Sequence, residues 1–218
     1  LKVSGDLRWA DRCEDVVFNS LPATTTPDFR ALRYLTAPNL VVSNGSNKSP
    51  RIQNLGPKYQ MNPHAHRCCQ LNMGHGWPYF AEHLWLATPD NGLAFVFYAQ
   101  SKVKAKVGDG AEVSITATTQ YPFDEDVGLT LAMNGARTFP LYLRIPKWCA
   151  QAELTINDRP VKVQTQPQTF LRIEREWRNG DRVKIRLPMQ VSVRTWTTNA
   201  RSISVDRGPL TYSLKIGE

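Results

Sequence analysis

The sequence predicts a mixed fold in which a helical part, residues 1–88, is followed by an antiparallel β-sandwich, residues 89–218. Two patterns predict it. Apolar residues recur at helical spacing near the start of the chain, whereas from Gly92 onward they alternate with polar residues at period two. Hydrophobic residues make up 41% of the 218, which is enough to bury a core and argues against a disordered chain.

The first predicted element is an amphipathic helix over residues 6–21, whose apolar stripe runs from Leu7 to Leu21. Asp6 can cap its start, and Pro22 is expected to stop it. A single helix of this length cannot bury its stripe alone, so the pattern predicts helical neighbours.

A long polar connection follows, rich in Pro, Asn, Thr and Ser, with one strand-like run around Ala31 to Leu35. Loops of this length in compact domains are usually functional. A second helix is predicted to start near Gly76, with Pro78 in its first turn, and to run to about Leu86.

Short period-two runs, separated by turn signals such as Asn157-Asp158 and Asn179-Gly180, fill the rest of the chain. Many short strands without helices between them are typical of an antiparallel sandwich. The predicted strands are 93–98, 101–107, 111–118, 127–133, 139–145, 152–156, 169–175, 181–187, 191–197, 202–206 and 210–214.

The formal net charge of +8 raises the question of nucleic acid, but the basic residues are not gathered on one segment. In the β part they alternate with apolar residues, as in Lys102, Lys104 and Lys106, which is typical of the wet face of a strand. No apolar run approaches the roughly 20 residues of a membrane-spanning helix. We therefore expect neither a nucleic-acid partner nor a membrane, and the compartment stays open between cytoplasmic and periplasmic or secreted.

The chain has four cysteines, two of them adjacent. Neighbouring Cα atoms lie about 3.8 Å apart, which is too close for an unstrained disulfide, so Cys68 and Cys69 are expected to be free thiols. No C-x-x-C spacing occurs, which excludes zinc ribbons and thioredoxin-type motifs. Cys149, in the β part, is expected to be a buried structural thiol.

All four histidines lie close to that cysteine pair in the sequence, at the end of the long connection. The segment concentrates nucleophiles and metal ligands, and a helix N-terminus, Arg67 or a metal would favour a thiolate there. Adjacent cysteines before a helix also occur simply as packed residues, and spacing alone favours neither reading. His83 is interpreted as structural, and both readings stay open for His75.

Two further sets of residues receive structural interpretations. The aromatic residues of the second helix are expected to face the core, rather than form a sugar platform. The carboxylates before residue 90 are expected to be solvated, and no pair is marked by spacing as an acid and a base. The aromatic residues are Trp77, Tyr79, Phe80 and Trp85; the carboxylates are Asp6, Asp11, Glu14, Asp15, Asp28 and Glu82.

Several stretches, in order over nearly the whole chain, resemble glycoside hydrolase family 127, whose best-known members are β-L-arabinofuranosidases. The most specific is the adjacent cysteine pair in HRCCQLN, followed by Asn72; the others are GDLRWAD with Glu14 and Phe18-Asn19, GWPYFAEHLWLATPDNGLAFVFYA, FPLYLRIPKWC, LTIND and DRGPLTYSL. The resemblance implies that the chain is the C-terminal fragment of an (α/α)6 barrel, carrying the cysteine pair on its long loop, followed by the β-sandwich.

The resemblance also implies roles. Cys68 would be the nucleophile, Cys68 and Cys69 would both bind zinc, and the reaction would proceed with retention through a glycosyl-cysteine intermediate. The remaining zinc ligands and the acid/base glutamate are expected upstream of residue 1, so Glu14 is not assigned either role. His64 and His66 are candidate sugar contacts.

The implied partner is an arabinose-containing glycan, together with the upstream part of the same protein, and residues 1–218 alone are expected to be inactive. Gln70-Leu71 stand where family members with arabinofuranosidase activity tend to have Pro-Pro, so the resemblance specifies the reaction type more closely than the substrate. The alternative is a non-catalytic carbohydrate-binding or scaffold module, in which the β-sandwich carries the function and the cysteine pair is a relic.

Overall fold

The computed structural model describes residues 1–30, 32, 67–198 and 200–214. The chain divides into two compact units. One contains Leu1–Glu14 and Glu82–Tyr212, and the other contains Asp15–Ala81 and Ser213–Glu218. The predicted boundary near residue 88 stays a prediction.

The helical elements are α1, Arg8–Asp15, then a π-helical turn, Val16–Ser20, and α2, Leu21–Ala23, followed later by α3, Arg67–Glu82. Asp6 caps α1 as expected, because its Oδ1 accepts a hydrogen bond from the Arg8 backbone N–H at 2.9 Å. Pro22 does not stop the helix; it lies in the first turn of α2, where a missing N–H costs nothing. In the strand-like run predicted around residues 31–35, Leu32 forms a single bridge with Thr25.

The second helix, α3, begins and ends earlier in the chain than predicted. It begins at Arg67 rather than near Gly76, and Pro78 lies in its interior rather than its first turn. Gly74, Gly76 and Pro78 are poor helix formers, and packing overrides such local preferences. Trp85 and Leu86, expected to be the last helical residues, instead lie in a strand over residues 85–87.

Thirteen strands follow α3 in the part of the chain that the structure describes. Their positions confirm the predicted period-two runs, with two short strands added at 85–87 and 159–161. They are β1 Trp85–Ala87, β2 Leu93–Phe95, β3 Ser101–Val107, β4 Ala111–Thr119, β5 Asp126–Met133, β6 Arg137–Ile145, β7 Glu153–Ile156, β8 Arg159–Val161, β9 Thr169–Trp177, β10 Arg182–Arg186, β11 Val191–Trp196, β12 Ser202–Arg207 and β13 Leu210–Tyr212.

The strands form three sheets, in the orders β1-β2-β6-β9, β3-β4-β5-β10-β7-β8 and β11-β12-β13. All pairs are antiparallel except β2 with β6, a parallel pair that alternation along the sequence cannot reveal. Asn157 and Asp158 both have positive φ, 49° and 61°, as a tight hairpin turn between β7 and β8 requires.

Buried side chains alternate along the strands of the six-stranded sheet, so one of its faces lies in the apolar core. Strand β6 is buried along most of its length, and Trp177 at the end of β9 is fully buried. The Trp177 indole N–H donates to the Phe139 carbonyl at 3.0 Å, which satisfies the polar atom of this large side chain.

Candidate functional site

The cysteine pair lies in the first turn of α3, immediately after Arg67. The two Sγ atoms are 3.7 Å apart and unbonded, which confirms the expectation of two free thiols. Cys68 is exposed and Cys69 is half-buried. Asn72 lies one turn further along, and its Nδ2 donates to the Cys68 carbonyl at 2.8 Å.

Consecutive residues on a helix point about 100° apart, which explains why the two thiols have different surroundings. Burial raises the pKa of the Cys69 thiol, and its hydrogen bond with Cys68 and the charge on that neighbour act in the same direction. The exposed sulfur of Cys68 is the one that a ligand can reach.

The spacing of the two sulfurs also fits a zinc ion. Two thiolates on one tetrahedral zinc, at Zn–S distances of about 2.3 Å, have their sulfurs about 3.8 Å apart. The observed 3.7 Å matches this edge of a tetrahedron. Among the described residues no group of three or more His, Cys, Asp or Glu side chains could hold a metal ion.

The histidines are only partly covered by the structure. His64 and His66, the candidate sugar contacts, lie outside the described residues. His75 is exposed on α3, where its ring lies 5.4 Å from the Tyr79 ring between centroids. His83 follows the end of α3 and is half-buried.

The aromatic residues expected to face the core divide into two groups. Phe80 is buried and makes an edge contact with Phe18, and Trp85 stacks on Phe95 at 3.9 Å between ring centroids. Trp77 and Tyr79 remain 42% and 60% exposed, so the expectation is wrong for them. On a helix they lie outside the stripe that contains Phe80, because 3.6 residues complete a turn.

A second cluster of chemically active groups surrounds Arg144, which is fully buried in β6. Its Nη1 lies 2.8 Å from Asp11 Oδ1, and its Nη2 lies 2.5 Å from Glu14 Oε1. Its Nε donates to the Val96 carbonyl at 2.6 Å. The expectation that these two carboxylates are solvated is therefore wrong, because α1 turns them toward a buried cation.

Other side chains complete the cluster around the two carboxylates. The Tyr121 hydroxyl donates to Glu14 Oε1 at 2.6 Å, and Gln168 Nε2 donates to Asp11 Oδ2 at 2.6 Å. Trp148 Nε1 lies 3.4 Å from Glu14 Oε2. Each oxygen of the two carboxylates therefore has at least one donor within the protein.

The electrostatics of this cluster favour a fixed ion pair. Burial works against the charge of Arg144, but nearby acidic groups outweigh it and raise the pKa of the guanidinium; they are Glu14, Tyr121, Tyr98 and Asp11. Burial, together with the charge on Glu14, raises the pKa of the Tyr121 hydroxyl. No signal in the sequence marks this cluster, because Arg144 lies far along the chain from its partners.

One cavity is lined by none of the predicted site residues. A cavity of about 620 Å³ lies at the end of β9, lined by Asn157, Arg175, Glu176, Arg178 and Asp181. Cys149 is fully buried, as expected, and burial raises the pKa of its thiol to about 11. In the part of the chain that the structure describes, no helix is long and apolar enough to cross a membrane.

Comparisons with known proteins identify both parts of the chain. The sequence model of the GH127 β-L-arabinofuranosidase catalytic domain matches residues 1–82, and that of the GH127 middle domain matches residues 92–189. No curated protein matches the chain.

Solved structures with a similar fold include one described as a glycoside hydrolase, with 25% identity and a TM-score of 0.80 over 97% of this chain. A GH127 β-L-arabinofuranosidase from Geobacillus stearothermophilus T6 has 25% identity and a TM-score of 0.74 over 97% of this chain. A GH127 β-arabinofuranosidase with 22% identity and a TM-score of 0.73 over 95% shows the same fold. The match covers 34%, 33% and 33% of those chains, so this chain spans about a third of their length.

Proposed function

Because the chain belongs to glycoside hydrolase family 127, we propose that it forms part of a retaining β-L-arabinofuranosidase-like enzyme. In this proposal Cys68 is the nucleophile, and Cys68 and Cys69 are zinc ligands. Residues 1–88 are the end of an (α/α)6 barrel, and residues 89–218 contain a β-sandwich. The rest of the barrel would supply the other catalytic groups.

One observation carries the proposal: two free thiols lie 3.7 Å apart in the first turn of α3, with the first of them exposed. A nucleophile must be reachable, and Cys68 is. The carboxylates of the Arg144 cluster are the weaker candidates, because both are paired with a fully buried guanidinium.

The chemistry follows from a thiolate at that position. Cys68 Sγ attacks the anomeric carbon of the terminal sugar, the bond from that carbon to the glycosidic oxygen breaks, and the departing oxygen takes a proton from a general acid. Water then attacks the same carbon and gives a proton to the group that acted as the acid, the C–S bond breaks, and the thiolate is restored. Two inversions at one carbon give overall retention.

Zinc bound by Cys68 and Cys69 would keep the sulfur deprotonated at neutral pH. The 3.7 Å sulfur separation supports this assignment, and Cys69, more buried than Cys68, is the better placed to act only as a ligand. The substrate would be an arabinose-containing glycan, and His64 and His66 stay candidates for contacts with it.

The test is hydrolysis of an aryl β-L-arabinofuranoside by the full-length protein that carries this chain, compared with its Cys68→Ser variant. We expect the variant to lose nearly all activity, while the matched Cys149→Ser variant, altered at a buried thiol, keeps it. Intact-mass spectrometry of the wild-type protein during turnover is expected to show one added pentosyl group. Full activity in Cys68→Ser would remove Cys68 as nucleophile.

Metal content tests the second part of the proposal. We expect about one zinc per chain in the full-length protein, lost in Cys69→Ser but kept in Cys149→Ser. Zinc absent from the wild-type protein, together with no hydrolysis and no pentosyl adduct, would support the non-catalytic module instead.

A further inference from the structure

Helix α1 belongs to the catalytic domain by sequence but to the β-rich part of the chain by structure. The sequence model of the GH127 catalytic domain covers residues 1–82. The compact unit that contains the strands nevertheless includes Leu1–Glu14 together with Glu82–Tyr212. This unit, called the β-rich unit below, therefore holds a helix of the catalytic domain.

One side of α1 supplies the contact with the strands. Asp11 and Glu14 are three residues apart, so their carboxylates lie on the same side of the helix. Arg144 of β6 binds both, at 2.8 Å and 2.5 Å. All the further donors lie within residues 92–189, which match the GH127 middle domain. These donors are the Tyr121 hydroxyl, the Lys147 backbone N–H, Trp148 Nε1 and Gln168 Nε2.

The guanidinium of Arg144 fixes the orientation of α1 as well as neutralising charge. Its Nε donates to the Val96 carbonyl, while Nη1 and Nη2 bind one carboxylate each. A planar fork of this kind holds its partners in fixed directions, whereas a lysine ammonium is a point charge. A buried ion pair often stabilises a fold no more than well-packed apolar residues would, so we expect its contribution here to be a defined position for α1.

The helical backbone continues from α1 into the elements that support α3. Backbone φ and ψ stay in the right-handed helical region at both junctions, Asp15 and Leu21, so α1, the π-helical turn and α2 form one uninterrupted segment. Helix α3, which carries the cysteine pair in its first turn, packs on this segment, and the Phe18 and Phe80 rings meet edge to face at 5.7 Å between centroids. Arg144 therefore holds one end of the segment on which α3 packs.

We propose that the β-rich unit takes part in the reaction by holding α1, and that Arg144 is the positioning residue through which it does so. This role rests on the proposed function, because it takes Cys68 as the nucleophile. It gives the middle domain a part in catalysis that does not require this domain to bind carbohydrate. A loosened α1 lets α3 move, and a displacement of the nucleophile by about 1 Å lowers the rate of the chemical step by up to about 100-fold.

The kinetic test compares Arg144→Lys with Leu131→Ala in the full-length protein. Leu131 is fully buried in β5, so its truncation destabilises the β-rich unit and leaves the donors to α1 in place. With an aryl β-L-arabinofuranoside, at a temperature at which both variants are fully folded, we expect Arg144→Lys to lower kcat about 10- to 100-fold with KM little changed. Leu131→Ala should keep the wild-type kcat.

An equal loss of kcat in both variants, a loss confined to KM, or no loss in Arg144→Lys overturns the inference. If Arg144→Lys does not fold, Glu14→Gln takes its place, because it keeps the size of the side chain and removes the charge that Arg144 binds.

Hydrogen–deuterium exchange separates this inference from the proposed function, because it does not depend on hydrolysis. Peptides from α1 and α3 of the full-length protein should exchange about tenfold faster in Arg144→Lys than in the wild type, and Leu131→Ala should leave α3 unchanged. Unchanged exchange in α3 of Arg144→Lys overturns the positioning role, whether or not the protein hydrolyses the glycoside. Faster exchange in both helices, in a protein whose wild type hydrolyses no β-L-arabinofuranoside, would support the coupling of α3 to Arg144 and contradict the proposed function.

Discussion

The Arg144 cluster and the cysteine pair both place reactive side chains next to one another, but they do so in opposite ways. Around Arg144, Glu14 is buried and Asp11 is half-buried, and each oxygen of these two carboxylates receives a hydrogen bond. On α3 Cys68 is exposed, and its Sγ lies 3.7 Å from that of Cys69.

This difference separates a cluster of charged residues that stabilises the fold from a pair of residues that can react with a substrate. A group whose hydrogen-bonding capacity is filled by the protein has none left for a substrate, whatever its charge. By residue type alone, two carboxylates beside an arginine are the better candidates for an acid and a base. In the structure, however, they form ion pairs that attach α1 to strand β6.

The largest expected effect compares the thiols themselves. In the folded chain at pH 8, iodoacetamide should label Cys68 at least about 10³-fold faster than Cys149, because a buried thiol reacts only after an opening that costs about 5 kcal/mol or more. Peptide mass spectrometry of timed samples measures the rates.

The same labelling in denaturant is the control, and there the cysteines should react at similar rates. Equal labelling rates for Cys68 and Cys149 in the folded chain would contradict this prediction, since the reagent would then reach both thiols equally well.

The next effect tests the buried cluster. Arg144→Met removes the cation and leaves the carboxylates of Asp11 and Glu14 buried without it, so we expect the free energy of unfolding to fall by about 3–5 kcal/mol. Urea unfolding followed by tryptophan fluorescence measures this change.

Arg182→Met is the matched control, because Arg182 pairs with Asp158 on the surface, with 62% and 77% of the two side chains exposed. It should change stability by no more than about 0.5 kcal/mol. If Arg144→Met cost no more than this control, the buried pair would contribute nothing to holding α1 in place.

The smallest effect concerns the helix that carries the cysteine pair. At Gly74 an added Cβ would meet nothing within 4 Å, so Gly74→Ala should stabilise the chain by about 0.5–1 kcal/mol through helix propensity alone. Gly76→Ala should gain less, because the Leu21 side chain must move to make room. Paired thermal melts compare the two, and an equal or larger gain at Gly76 would show that α3 does not pack closely on α2.

Much of the fold could be predicted from the sequence. The alternation of polar and apolar residues predicted most of the strands, because successive side chains on a strand point to opposite faces, one exposed to solvent and one buried. The helical start, its Asp6 cap and the free thiols followed from equally local rules. The family resemblance came from contiguous motifs.

The errors arose where local preference conflicts with packing. Glycines and Pro78 delayed the predicted start of α3 by about nine residues, which hid the fact that the cysteine pair belongs to that helix. Residues 85–87 followed a helical pattern but pair with β2, because a strand partner satisfies backbone hydrogen bonds that a fraying helix end does not.

The sequence by itself determined the classes of element, the adjacency of Cys68 and Cys69, and the family, because each depends on residues close together in the chain. Only the tertiary structure decided that Asp11 and Glu14 are bound to Arg144 and that Trp77 and Tyr79 are exposed. These features depend on contacts between residues that are far apart in the sequence. Whether a side chain is free to react depends on which distant residues surround it.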